Sequence, residues 1–158
     1  MIFIPEIFMS LGFLVILIIS VFLKKNSHII VGYLSLILIF LTQFFVLKDI
    51  FLFEEIFNSF FVIDSFGSFL KSIILISAGL VIYFYLIVKN EISLQRPEFL
   101  LITLIAIIGM MLMVSSNDLL SLFVSLELQS LALYILVSFS KDDFNSSEAG
   151  VKYFVIGS

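Results

Sequence analysis

The chain has 158 residues, 62% of them hydrophobic and 13% charged, with a net charge of −4 and a mean hydropathy of +1.29. Such a composition cannot fold around one aqueous core and marks an integral membrane protein. Eight scattered Lys and Arg make no basic patch for nucleic acid, zero Cys removes disulfides and thiolate metal sites, and the single His28 has no second ligand near it in sequence.

A hydrocarbon core of about 30 Å takes roughly 20 apolar residues as a helix. Five stretches qualify, so the expected fold is all-α: transmembrane helices over 7–23, 29–47, 69–88, 99–114 and 119–139, then the start of a sixth over 147–158, in a single membrane domain. No basic segment precedes the first apolar run, where Pro5 and Glu6 stand instead, so that run reads as a retained helix rather than a cleaved signal. Lys24 and Lys25 close it, and His28 beside them reads as a solvated loop residue. Lys48 and Asp49 end the second helix.

The following segment, 49–66, reads DIFLFEEIFNSFFVIDSF. Glu54, Glu55 and Asp64 interrupt it too often for a span, yet it is too apolar to float in water. Two Phe-rich runs flank Asn58 and Ser59, a turn dipeptide, which predicts a short β-hairpin over the helix ends. An interfacial helix satisfies the same pattern. Lys71, near the outer end of the third helix, is placed to snorkel or to pair with Asp64. Pro97 and Glu98 start the fourth helix and Asp118 caps the fifth.

After the fifth helix, Ser146 and Ser147 read as caps and Glu148 as a first-turn acid of the last segment. As a helix that segment reaches only about 20 Å. Either another polypeptide completes the sixth helix or this end rests half-inserted against its neighbours; the expectation is a split protein. Loop charge sets the orientation: Lys24, Lys25, Lys89, Arg96 and Lys141 fall on one side and Lys48 on the other. The N-terminus should therefore face the periplasm or intermembrane space.

Glu127 is the residue that apolar packing does not explain. It lies nine positions after Asp118, which puts it about 13 Å along the fifth helix, near mid-membrane. A charge there costs about 2.5–3.5 kcal/mol on insertion scales, so such a residue faces protein, water or a counter-ion. On a helical wheel Glu127, Ser130 and Tyr134 share one side while Ser121, Ser125 and Gln129 share another. Hydroxyls beside Glu127 would support a short water chain and a tunable proton site. The plainer reading is that Glu127 hydrogen-bonds a neighbouring helix and specifies assembly. Lys152 follows Glu148 by four residues, the order that favours a local ion pair, and such a pair needs no transport role.

The stretch MMLMVSSNDLLSLFVSLELQSLALYIL and the later SSEAGVKYFVIGS resemble subunit 2 of respiratory complex I, the proton-pumping NADH:ubiquinone oxidoreductase, in its mitochondrial form. The opening IPEIF and the segment FVIDSFGSFLKSI fit the same family. Related antiporter-like subunits tend to have Trp before the helix-five Glu, where this chain has Leu126. The resemblance implies that Glu127 pairs with a Lys on a later helix and that Lys152 belongs to the same proton path. Ser130, Tyr134, Gln129 and Glu148 are the supporting polar residues.

It also implies a subunit of an H+-translocating NADH:ubiquinone reductase in the mitochondrial inner membrane. Its partners would be the other membrane-arm subunits and the chain carrying the rest of subunit 2; separately, the basic residues Lys24, Lys25 and Arg96 suggest anionic lipids such as cardiolipin. The sequence has no flavin motif, cysteine ligands or nucleotide loop, so NADH, FMN, iron-sulfur clusters and ubiquinone would belong to other subunits. Twenty Phe and no Trp suit an AT-rich organellar genome. The alternatives are a structural module of the membrane arm and a subunit of a cation/proton antiporter.

Overall fold

A computed structural model of the chain describes residues 4–23, 27–49, 53–56, 60–87, 96–140 and 144–157. Six helices form: α1 (Ile4–Phe22), α2 (Ser27–Asp49), α3 (Ser65–Ile87), α4 (Pro97–Ser115), α5 (Leu119–Val137) and α6 (Phe144–Gly157). The first five are each long and apolar enough to cross a membrane. Between α2 and α3 stand two short antiparallel strands, β1 (Glu54–Ile56) and β2 (Phe61–Ile63), with Glu55 opposite Val62. The hairpin therefore prevails over the interfacial helix. Its expected turn at Asn58 and Ser59 lies outside the described residues, as do Lys24 and Lys25 of the proposed lipid contact.

The centre of the bundle is α4, which packs on α1, α2, α3 and α5. Apolar residues go nearly all the way round it: Leu100, Leu104, Ile107 and Met111 join Met9 and Ile16 of α1, Val31 and Leu38 of α2, and Leu75 and Ile82 of α3 in one core. A helix with several packed sides has no use for a polar stripe. The outward sides of α1, α2, α3 and α5 instead expose Leu11, Ile18, Phe40, Phe69, Ile76 and Phe123, as expected for side chains that meet lipid or neighbouring helices.

The α4–α5 seam is closer than side chains alone allow. A Cβ placed on Gly109 of α4 would stand 2.8 Å from the backbone nitrogen of Gln129 of α5, so glycine at this position permits near backbone contact between the two helices. The last helix, α6, packs chiefly on α5: Gly150 meets Ser138, and Tyr134 meets the rings of Tyr153 and Phe154 edge-on at 5.0 and 5.6 Å. Most of its remaining surface is exposed, Val155 and Ile156 included.

Three local readings change. His28 is half-buried in the first turn of α2 instead of in a loop. Helix α6 starts at Phe144, so Ser146 and Ser147 lie inside it and Glu148 is beyond its first turn. The Ser146 hydroxyl donates to the Val137 carbonyl at 2.8 Å, satisfying an oxygen left open at the end of α5 rather than capping its own helix. Helix α3 begins at Ser65, four residues earlier than hydropathy implies, because Asp64 caps it by accepting the Gly67 N–H at 2.8 Å.

Candidate functional site

The position of Glu127 is set from the start of α5. Asp118 is extended and its carboxylate accepts the Leu120 N–H at 3.0 Å, while the Ser121 hydroxyl returns to the Asp118 N–H in a reciprocal capping box. The hairpin holds this turn from outside. The Phe60 carbonyl accepts both the Asn117 N–H at 2.9 Å and the Ser121 hydroxyl at 3.0 Å, and Phe61 bridges Ser116. Nine residues further along, Glu127 is half-buried, next to the exposed Leu126. Among the described residues no cation lies within ion-pair distance of it.

The two polar stripes of α5 separate as the wheel implies, and they do different work. Ser121 and Ser125 are buried, and the Ser125 hydroxyl bonds the Ser121 carbonyl at 2.7 Å. Gln129 lies in the seam with α4, its Oε1 buried and without a hydrogen-bond partner among the described residues. On the Glu127 side, Ser130 is half-buried and its hydroxyl donates to the Glu127 carbonyl at 3.1 Å, so it serves its own helix rather than the acid. Tyr134 is buried against α6, and a Cβ at Gly157 would collide with its hydroxyl; glycine there makes room for it.

Lys152 and Glu148 pair at 2.6 Å along α6, with side chains 68% and 45% exposed. Screening limits an exposed pair to at most about 1 kcal/mol. The structure therefore brings Lys152 to Glu148 and not to Glu127.

An ion pair that the sequence reading missed lies at the other end of the bundle. Lys71 of α3 does not snorkel: its Nζ is 2.5 Å from Oε1 of Glu6 in the first turn of α1, and neither side chain is more than 4% exposed. The same oxygen accepts the hydroxyl of Ser115, the last residue of α4, at 2.9 Å. Glu6 Oε2 and, on α3, Ser68 Oγ are buried with no hydrogen-bond partner among the described residues. The signal was available: an acid one turn into the first span and a lysine about 9 Å into the third occur at the same membrane side. Glu6 had counted only as evidence against a signal peptide.

Residues 116–158 match a family model described as NADH:quinone oxidoreductase/Mrp antiporter, transmembrane. Over 97% of its length the chain is 39% identical to NADH-quinone oxidoreductase subunit N of Bartonella bacilliformis, and over 98% it is 38% identical to the same subunit of Paramagnetospirillum magneticum. It spans 31% and 32% of those relatives, about a third of their length. Both are bacterial and carry the name subunit N, where the sequence resemblance was to subunit 2 of the mitochondrial enzyme. The fold is also that of a chain in respiratory complex I from Thermus thermophilus with bound aureothin, with a TM-score of 0.80 at 22% identity, covering 97% of this chain and 33% of that one.

Proposed function

We propose that these residues form the N-terminal third of an antiporter-like membrane subunit of a proton-translocating NADH:quinone oxidoreductase, an organellar counterpart of bacterial subunit N. Similarity along nearly the whole chain to two such subunits supports the placement. The observation that carries the role is Glu127: an acid about 13 Å into an apolar helix, half-buried, with no cation in reach among the described residues. An intramembrane carboxylate so placed is completed by a basic group or water from outside these helices.

In this reading Glu127 takes up and passes on a proton, its charge state coupled to a lysine on the remaining two-thirds of the subunit, carried on the same or a separate polypeptide. Lys152 is the next ionisable group along the membrane arm, and its pairing with Glu148 holds it until that lysine competes. Gln129, Ser130 and Tyr134 set the helix contacts around the acid. Redox chemistry with NADH, FMN, iron-sulfur clusters and ubiquinone takes place on other subunits. The composition and the charge bias support the mitochondrial inner membrane, with the N-terminus toward the intermembrane space. Other membrane-arm subunits and anionic lipids near Arg96 are the partners.

The test is Glu127→Gln in the whole complex. Normal assembly with impaired proton translocation is the expected result; full translocation would leave Glu127 as an assembly contact only. The family model's description also covers Mrp antiporters, which favours a cation/proton antiporter as the second reading. Co-purification of the chain with quinone-reducing activity separates the two.

A further inference from the structure

The Glu6–Lys71 pair lies outside the Glu127 site and makes no contact with it, so its presence calls for a separate reason. Two charges in a dry interior are no bargain for stability, because well-packed apolar residues of similar volume serve as well or better. What a buried pair supplies is position: the short contact between Lys71 and Glu6 survives only while α1 and α3 keep their places. Apolar helix surfaces such as those of α4 hold one another by general packing, which fixes axial register weakly. Ser115 is where α4 meets that fixed point. Its hydroxyl is shared between Glu6 Oε1 at 2.9 Å and the Met111 carbonyl at 3.1 Å.

The chain from Ser115 onward is tied at every step. Ser116 bridges Phe61, the Asn117 N–H reaches the Phe60 carbonyl, Asp118 caps α5, and Ser121 bonds Phe60. Glu127 follows six residues later on the same rigid helix. We infer that Glu6, Lys71 and Ser115 form a positioning clamp that fixes the axial register of α4 and, through the tied α4–α5 turn, the depth of Glu127 in the membrane. None of the three touches the travelling proton. The link to proton translocation rests on the role proposed above for Glu127; the link to register does not.

The chain has no cysteine of its own, so Met111→Cys, one turn inside Ser115 and fully buried, reports on α4 in membranes carrying the whole complex. Labelling by a membrane-impermeant thiol reagent from the hairpin side is slow while the clamp holds. Glu6→Gln should speed it about tenfold, since the carboxylate that faces Lys71 loses its charge. Ser115→Ala should speed it about threefold, the size of one interhelical hydrogen bond in a membrane, and Ser115→Thr should restore the slow rate.

A second readout, protons translocated per NADH oxidised, is independent of how much complex assembles, and it should fall in Ser115→Ala and recover in Ser115→Thr. If Glu6→Gln fails to assemble, Ser115→Ala keeps both charges paired and decides the matter alone. Unchanged labelling in Ser115→Ala overturns the clamp. Faster labelling with an unchanged proton ratio reduces it to packing and overturns the link to Glu127. Should Glu127→Gln itself leave the ratio intact, the proton role falls, while the labelling still decides the register.

Discussion

Glu6 and Glu127 are both carboxylates set in apolar helices, and the fold treats them differently. Around Glu6, three helices converge: α1 supplies the acid, α3 a buried lysine and α4 a hydroxyl. Glu127 shares its side of α5 with Ser130 and Tyr134, and its side chain stays half-buried with no cation in reach among the described residues. The first is a closed arrangement that holds helices in place. The second is open on the flank of the bundle. On the proposed role of Glu127, burial and charge alone do not separate the two acids; the source of the counter-ion does.

That contrast can be broken from the closed side first. Lys71→Met leaves Glu6 buried without its cation and should lower stability by about 3–5 kcal/mol, whereas adding Glu6→Gln to it should recover most of the loss. The abundance and thermal midpoint of the membrane-extracted complex read both, and a double variant no better than the single would contradict the pairing. Glu127→Gln, on the open side, should leave the midpoint nearly untouched.

The α4–α5 seam is next in size. Gly109→Ala puts a methyl 2.8 Å from the Gln129 backbone nitrogen, which cannot move aside as a side chain would, so it should cost about 1–3 kcal/mol. Gly79→Ala is the control: its Cβ meets Ile39 at an ordinary 3.8 Å, and the change should be neutral or slightly stabilising on the same measurement. Asp118→Ala removes the cap below Glu127 and should cost about 0.5–2 kcal/mol. Glu148→Gln is the smallest, about 0.5 kcal/mol or less for an exposed i, i+4 pair. Unchanged proton translocation in this variant would show that the proposed role of Lys152 does not depend on its pairing with Glu148.

Much of this was legible in the sequence, for identifiable reasons. Five spans follow from uninterrupted hydropathy, the hairpin from two Phe-rich runs around a turn dipeptide, and the α5 cap from Asp118 ahead of an apolar run. The segregation of Ser121 and Ser125 from Tyr134 follows from 100° per residue alone. Depth and membrane side made Glu6 and Lys71 candidates, but local rules could not pair them: they are 65 positions apart (71 − 6) and meet only once α1 and α3 have both packed on α4. The closeness of Gly109 to Gln129 is likewise a property of two helices together. Ser146 was misplaced as a cap because a serine before an apolar run looks the same whether it serves its own helix or the end of the one before.

The doubly bonded Phe60 carbonyl has a consequence for biogenesis. It precedes its partner Ser121 by 61 positions, and at about 5–20 residues per second the ribosome takes several seconds to deliver that partner. Through that interval the strand pair has its acceptor unfilled and one edge open, a state that invites mispairing. Delivery of the α4–α5 turn ends that exposure, so slowed elongation between α3 and α5 should be felt as loss of this chain.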